Sequence, residues 1–342
     1  MERIRFGKTG LMVSRVAFGG IPIMRLSKPE AVNVVREIID MDINFIDTAH
    51  GYNDSEEKIG EAIKGMPRDK LVIASKSPAN DRKSFNEHLD LTLKRLGLEF
   101  VDIYQLHNVG SAERHKAVFG PDGAAAGLFD AVKAGKVRFA AFSSHSVPLA
   151  MQIMRTEKFA VVQLPINYID TAAEEAIPLA KELDMGFIAM KPMGGGLLDN
   201  AELSFKYLLQ FDNLVPDPGI ERIEEMRQIV NIVNAKQTLS AEDKKTIEEQ
   251  RREFGPEWCH RCDYCQPCPQ KISISSVLTV KSLVKRMPFE RAYKMANDNI
   301  QRAKNCIECG VCKTRCPYSL SIPDLLKKSV QLWTDAVAAN PV

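Results

Sequence analysis

The sequence predicts a (β/α)8 TIM barrel followed by a smaller, α-helical domain. Two observations carry this. Short apolar runs alternate with amphipathic stretches eight times in about 220 of the 342 residues, the rhythm of a parallel barrel with its helices outside. All eight cysteines then fall in two short runs near the C-terminus, 259–268 and 306–316. A doubly wound sheet is the alternative for the first part, but it seldom extends to eight units, and no G-x-G-x-x-G follows the first strand. The expected division is a barrel over 1–235, a connecting helix within 236–256 and a cysteine-bearing domain over 257–342.

Ahead of the barrel, 4–6, Lys8-Thr9-Gly10 and 11–13 read as a small hairpin, suited to plugging the barrel bottom. Strands are expected at 16–19, 44–47, 71–75, 101–106, 137–142, 161–166 and 186–190, with a weak one near Leu214. The helix expected at 29–41 shows one buried face through Val32, Val35, Ile38 and Ile39. Further helices are expected at 55–63, 84–96, 127–134, 148–155, 172–183, 201–210 and 221–233. The stretch from His107 to Ala126, with Gly110, Gly120 and Gly123, reads as a long loop, and 240–254 as a charged helix. Between the cysteine runs, Val277, Val280, Leu283 and Val284 recur at helical steps, so helices are expected there too.

The second cysteine run, Cys306, Cys309, Cys312, Cys316 and Pro317, is a full C-x2-C-x2-C-x3-C-P. That spacing wraps three thiolates around a [4Fe-4S] cube, with the fourth thiolate coming from the other run in two-cluster ferredoxins. The crossed reading gives Cys259, Cys262, Cys265 and Cys316 to one cluster, and Cys306, Cys309, Cys312 and Cys268 to the other. Pro269 and Pro317, each after a fourth cysteine, agree with it. The first run departs from the pattern, with two residues rather than three before Cys268. Zinc and disulfides are the alternatives. Zinc commonly takes two separated ligand pairs, which leaves a third cysteine at this spacing without a role. Disulfides fit poorly with a chain that shows no secretory leader. The expectation is an α-helical, ferredoxin-like domain holding two [4Fe-4S] clusters.

A net charge of +2 gives no field that argues for nucleic acid or a membrane surface. No apolar run reaches the roughly 18 residues of a transmembrane helix. Oxygen-sensitive clusters and free thiols point to a reducing cytoplasm.

The active site of such a barrel lies at the C-terminal ends of its strands. Strand two ends in Asp47, with Tyr52 five residues on; strand three ends in Lys76 and strand four in His107. Singly, each has an ordinary reading as a turn, capping or packing residue. At three consecutive strand ends they make a proton-donor set. A phenol near pKa 10 gives up its proton reluctantly at neutral pH. A lysine ammonium about 4 Å away favours phenolate by on the order of 4 kcal/mol at an effective dielectric near 20, before desolvation is subtracted. Asp47 is placed to hold and orient Lys76.

Phe45-Ile-Asp47-Thr-Ala-His-Gly-Tyr52, Ile73-Ala-Ser-Lys76 and Asp102-Ile-Tyr-Gln-Leu-His107 resemble the three signatures of the aldo-keto reductases, especially the subgroup with a C-terminal ferredoxin-like domain. The resemblance implies Tyr52 as general acid, tuned by Lys76 and Asp47, with His107 orienting the carbonyl. It implies hydride from NAD(H) or NADP(H), and an aldehyde, ketone or alcohol as substrate. It also places Ser143 and Gln163 on the nicotinamide carboxamide, Met190 where many members stack an aromatic residue on the ring, and Gly19, Gly20, Gly194 and Gly219 near cofactor phosphates and riboses. NADP-using members carry an arginine where this chain has Glu225, and Glu-Asn where it has Gln228-Ile229. A carboxylate there repels a 2′-phosphate unless Arg222 compensates, which leaves NADH or weak nucleotide binding open.

Three functions compete on this reading. One is a nicotinamide-dependent carbonyl reductase or alcohol dehydrogenase with structural or regulatory clusters. The second is an electron-transfer oxidoreductase whose clusters couple the barrel to a ferredoxin or another redox protein, although no flavin signature is present to split a hydride into single electrons. A redox-sensing barrel without catalysis is the third, and the intact Asp47, Tyr52, Lys76 and His107 set argues against it.

Overall fold

The apolar runs become strands of one parallel sheet in the order of the sequence. After a hairpin of β1 (Arg3–Arg5) and β2 (Met12–Ser14) come β3 (Phe18–Gly19), β4 (Phe45–Asp47), β5 (Val72–Ser77), β6 (Val101–Leu106), β7 (Val137–Ser143), β8 (Val161–Pro165), β9 (Gly186–Met190) and β10 (Leu214–Asp217). Each strand from β3 to β10 pairs in parallel with the next. The two edges then meet. Ala17 N–H donates to Pro216 O and Gly19 N–H to Pro218 O, both at 2.9 Å, and Gly19 bridges Gly219. Closure removes both open edges of the sheet. It also demands glycine on each side. A Cβ on Gly19 would lie 2.9 Å from Pro218 O, and one on Gly219 would lie 2.9 Å from Pro22 Cγ.

The computed structural model describes residues 1–261, 264–286, 289–316 and 318–340. The chain forms two units, Met1–Gly194 with Asn200–Lys244, and Gly195–Asp199 with Lys245–Val342. In the first, the strands alternate with α1 (Lys28–Asp40), α2 (Ser55–Ile63), α3 (Arg82–Leu96), α4 (Ala112–Val118), α5 (Ala124–Lys133), α6 (Val147–Met154), α7 (Ala176–Glu182), α8 (Ala201–Leu209) and α9 (Ile223–Ala235). Local chemistry sets their ends. Ser27 and Glu30 form a capping box at α1. The Asp81 carboxylate accepts from Ser84 N–H (2.9 Å) at the start of α3, and Gly97 ends that helix at φ 66°.

Three segments differ from the sequence reading. The stretch after His107 is not a plain loop, because α4 occupies 112–118. Only Val118 of that helix is buried, so no apolar period announces it; Ser111, capping Arg114 N–H at 3.2 Å, was its one signal. The helix expected at 172–183 splits into a 3-10 turn, Ala172–Glu175, and α7. The first strand keeps only its last two residues, because Ser14 Oγ donates to Val16 O (2.8 Å) and bends the chain ahead of it.

The hairpin packs into the barrel bottom as its apolar pattern suggests. Phe6, Leu11 and Val13 are buried with Phe45, Ala74, Ile103, Ile188 and Val215 from the strands. Phe6 lies so close to β9 that a Cβ on Gly186 would stand 2.6 Å from its ring. Asp102 on β6 is a buried carboxylate satisfied by Arg68 (2.6 Å), Arg138 (2.7 Å) and Ile73 N–H (2.9 Å), so the acid of the third family signature is a structural one.

Helix α10 (Ala241–Phe254) begins in the first unit and runs into the second. The second unit is built from α11 (Ile274–Leu278), α12 (Val280–Arg286), α13 (Phe289–Lys304), α14 (Val311–Thr314) and α15 (Ile322–Ala339). Its core gathers Ile274, Val277, Val280, Ala292, Ile300, Leu320, Ile322 and Leu326 around Trp333. The indole stacks on Tyr293 at 6.0 Å and meets Phe289 at 5.4 Å. Helices between the cysteine runs were expected, and α11 to α13 supply them. Among the described residues no helix is long and apolar enough to cross a membrane.

Phe6→Ala should destabilise the barrel by about 3–5 kcal/mol, the usual cost of emptying a fully buried aromatic site. Urea unfolding followed by far-ultraviolet circular dichroism measures this; a loss under about 1 kcal/mol would contradict the plug.

Candidate active site and cluster cavities

The barrel gathers the polar strand ends at one mouth. Lys76, on β5, is fully enclosed and donates to the Asp47 carboxylate at the end of β4 and to Thr48 O (2.7 Å). Its ammonium lies 5.1 Å from the centre of the Tyr52 ring, and that ring meets His107 edge-on at 5.8 Å. The four residues singled out from strand ends therefore stand together. Tyr52 reaches the mouth because the chain after β4 turns sharply, Tyr52 N–H donating to Ala49 O and Ser55 N–H to Tyr52 O, both at 2.9 Å. Ser55 then opens α2, tied down by its hydroxyl to Gly20 O (2.8 Å).

Burial governs the electrostatics. It lifts the Tyr52 phenol above its ordinary pKa; Lys76 pulls it back down, while Asp47 pushes it up further. The ammonium that favours phenolate is in place, yet desolvation and the neighbouring Asp47 carboxylate outweigh it, so Tyr52 keeps its proton until a reaction draws it away. Burial alone would also lower the Lys76 ammonium, but the Asp47 charge reverses that and holds it cationic. His107 is pushed down to about 3, first by burial and then by Lys76 and Arg114. It is a neutral imidazole, able to donate or accept a hydrogen bond but not to act as an acid at neutral pH.

Two residues of the cluster escaped the sequence reading. Gln105, buried on β6, donates to Asp47 Oδ1 (3.2 Å). Asp217 ends β10 and accepts from Gln163 Nε2 (3.1 Å), which also donates to Asp47 Oδ2 (3.3 Å). Reading the last residue of every strand finds Asp217, but the weak strand near Leu214 hid it between two prolines.

Gln163 Oε1 is buried without a partner among the described residues. With both Nε2 bonds turned toward carboxyls, that oxygen can accept from a bound amide. Ser143, at the end of β7, already accepts from Asn108 N–H (2.8 Å). Met190 ends β9 beside Asp217, and Gly194 N–H donates to Lys191 O (2.9 Å) in the turn beyond. Gly19 and Gly219 close the barrel. Gly20, between them and α2, would place a Cβ 3.0 Å from Ser55 Oγ. At the start of α9 the Glu225 carboxylate accepts from Glu221 N–H and Arg222 N–H, each at 3.2 Å, and takes Arg222 Nη2 at 3.2 Å. Arg222 is thus engaged by the acid it would have to offset.

The cysteine runs line two cavities. Cys259, Cys265 and Cys316 face one, with His260, Leu278, Tyr318 and Leu320. Cys268, Cys306, Cys309 and Cys312 face the other, with Cys265, Pro269 and Ile272. Each cavity draws thiols from both runs, the arrangement that crossed ligation requires. Contacts among the described residues join the runs. His260 stacks on Tyr318 at 3.6 Å, and Arg315 Nη1 donates to Gln266 O (3.2 Å) and Pro267 O (3.3 Å). Burial raises the Cys312 thiol, and Cys306 and Cys309 raise it further. Convergent thiols in an apolar surround suit iron–sulfur clusters. Cys262 and Pro317 lie outside the described residues.

His107 should remain neutral on carbon-detected NMR titration down to about pH 4, against an ordinary histidine near 6.5. Because its folded pKa is depressed, its contribution to stability is full above about pH 6.5 and is lost as the pH falls toward 3. A midpoint near 6.5 would refute the enclosed site.

Comparison with known proteins agrees with both units. The aldo/keto reductase family model matches residues 15–207, and a 4Fe-4S dicluster domain matches residues 258–321. A probable aldo-keto reductase 1 of Glycine max is 26% identical over 254 residues, covering 66% of this chain and 72% of that protein. An NADH-specific methylglyoxal reductase of Escherichia coli K12 is 26% identical over 229 residues, covering 58% and 69%. Among solved structures, the holo form of aldo-keto reductase AKR11C1 from Bacillus halodurans superposes with a TM-score of 0.64 at 21% identity, covering 73% of this chain and 96% of that one. The chain therefore belongs to the aldo/keto reductase family, as an oxidoreductase that carries a 4Fe-4S dicluster domain beyond its barrel.

Proposed function

We propose that the barrel reduces an aldehyde or ketone to the alcohol, and runs the reverse oxidation, with Tyr52 as the proton donor. The enclosed Lys76–Asp47 pair beneath the Tyr52 ring carries this reading. A nicotinamide dinucleotide, when bound, supplies the hydride, two electrons and one proton nucleus delivered to the carbonyl carbon. The Tyr52 hydroxyl gives its proton to the carbonyl oxygen as charge develops there. Lys76, held cationic by Asp47, stabilises the phenolate that remains. Neutral His107 donates a hydrogen bond to the same oxygen and fixes its approach. Water returns the proton to Tyr52. Gln163, through its open Oε1, would hold the carboxamide.

The nucleotide favoured is NADH. Glu225 stands at the position where NADP-using members carry the arginine for the 2′-phosphate, and it already holds Arg222. The Escherichia coli relative named as NADH-specific points the same way. Glu225→Gln should narrow the NADH-over-NADPH preference about tenfold, or about 1.4 kcal/mol. Fluorescence titration of both nucleotides measures it, and an unchanged ratio argues against the assignment.

In the second unit, the cavities support two [4Fe-4S] clusters with crossed ligands: Cys259, Cys262, Cys265 and Cys316 for one, and Cys306, Cys309, Cys312 and Cys268 for the other. Cys316→Ser and Cys259→Ser should then perturb one and the same cluster in the electron paramagnetic resonance of the reduced protein, leaving the second intact. Two different residual signals would break the crossed pairing.

The dicluster domain favours a second reading, in which the clusters pass electrons between the barrel and a redox protein. Anaerobic titration with NADH and NADPH, watching cluster absorbance, separates the two. Carbonyl turnover with silent clusters supports the reductase; bleaching by nucleotide supports electron transfer; absence of nucleotide binding sinks both. Tyr52→Phe should cut carbonyl turnover by about 10²–10⁴-fold, the usual worth of a positioned general acid, with cluster content unchanged.

A further inference from the structure

Two acids, Asp47 and Asp217, are buried at the mouth, and one ammonium faces them. They share Gln163 Nε2, at 3.3 Å and 3.1 Å, so the two carboxyls converge on one donor. Two carboxylates so placed cannot both stay ionised beside a single cation. Their partners decide which one holds the proton. Asp47 takes Lys76, Gln105 and Gln163. Asp217 takes Gln163 alone, and its Oδ1 is buried without a partner among the described residues.

We propose that Asp217 is a positioning residue of the site, kept as a neutral carboxylic acid whose O–H donates to Asp47. The Asp47 carboxylate then receives donors from four strands: Lys76 on β5, Gln105 on β6, Gln163 on β8 and Asp217 on β10. An anion gripped from four sides cannot swing, and Lys76 stays under the Tyr52 ring. Gln163 is fixed by the same pair of carboxyls, which leaves its Oε1 unspent. The charged or titratable groups facing Asp217 are Asp47, Lys76 and Tyr52. Burial raises its pKa well above the carboxylate range; Asp47 raises it further, and Lys76 offsets only part.

The role rests on the reductase reading, but its test does not need turnover. Infrared spectra of the full-length protein at about pH 7, wild type minus Asp217→Asn, should show a carboxylic acid C=O band that shifts in D2O. A fluorotyrosine at position 52, followed by 19F NMR, reports the phenol. Asp217→Asn, a neutral isostere that can still donate to Asp47, should leave that titration in place. Asp217→Leu removes the donor, frees Lys76 to drift, and should move the phenol upward. Absence of the band, or a downward shift in Asp217→Asn, would mean an ionised Asp217 and overturn the proposal. An unmoved phenol in Asp217→Leu would overturn the positioning role. If Asp217→Leu fails to fold, the infrared band and the Asp217→Asn titration still decide the proton. In turnover, Asp217→Leu should lower kcat about tenfold with little change in KM, as expected for a group acting on the transition state, and Asp217→Asn should restore most of it. A protein with no carbonyl turnover at all would sink the reductase reading and leave the infrared result standing.

Discussion

Everything at the mouth of the barrel depends on one enclosed ion pair. An ammonium taken out of water is costly unless a counter-charge and hydrogen bonds replace what it loses. Lys76 receives both, from Asp47 and Thr48 O. The arrangement is weak evidence for stability, because well-packed apolar residues fill such a space as well or better. Its value lies in specification. The lysine has one place to be, and Tyr52 and His107 are ranged around it.

That pair is possible because the strands present their ends in register. Asp47 stands beside Ala74, Lys76 beside Gln105 and Ser143 beside Gln163. A slip of one residue in any ladder turns a polar end outward and an apolar one into the mouth. The plug of Phe6, Leu11 and Val13 at the other end lets the interior be apolar below and polar above. The same low-polarity surround that keeps Tyr52 protonated also empties His107 of its proton, so one environment yields a weak acid and a neutral donor side by side.

Much of this was legible in the sequence. Asp47, Lys76 and His107 could be found because each closes an apolar run, and Tyr52 because it follows at a fixed distance. The barrel was legible because buried parallel strands read as uninterrupted apolar stretches. What stayed hidden was of two kinds. Helix α4 buries too little to leave a period. Asp217 ends a weak strand between two prolines and Gln105 lies inside a strand, and a local pattern does not say which carboxyl a buried amide will meet. The cysteine spacing showed that two runs belong together, whereas the His260–Tyr318 stack and the Arg315 contacts that hold them needed the folded chain.

The pairing of Gly19 with Gly219 joins residues 200 positions apart. During synthesis the first barrel strand waits for the last with one side of its backbone unpaired. Until residue 219 is clear of the ribosome, every intermediate is an open sheet with two exposed rims, the form most prone to pair with another chain. Contacts this distant form late and slowly. The cysteine domain is made later still, so its thiols emerge only after the strand that closes the barrel.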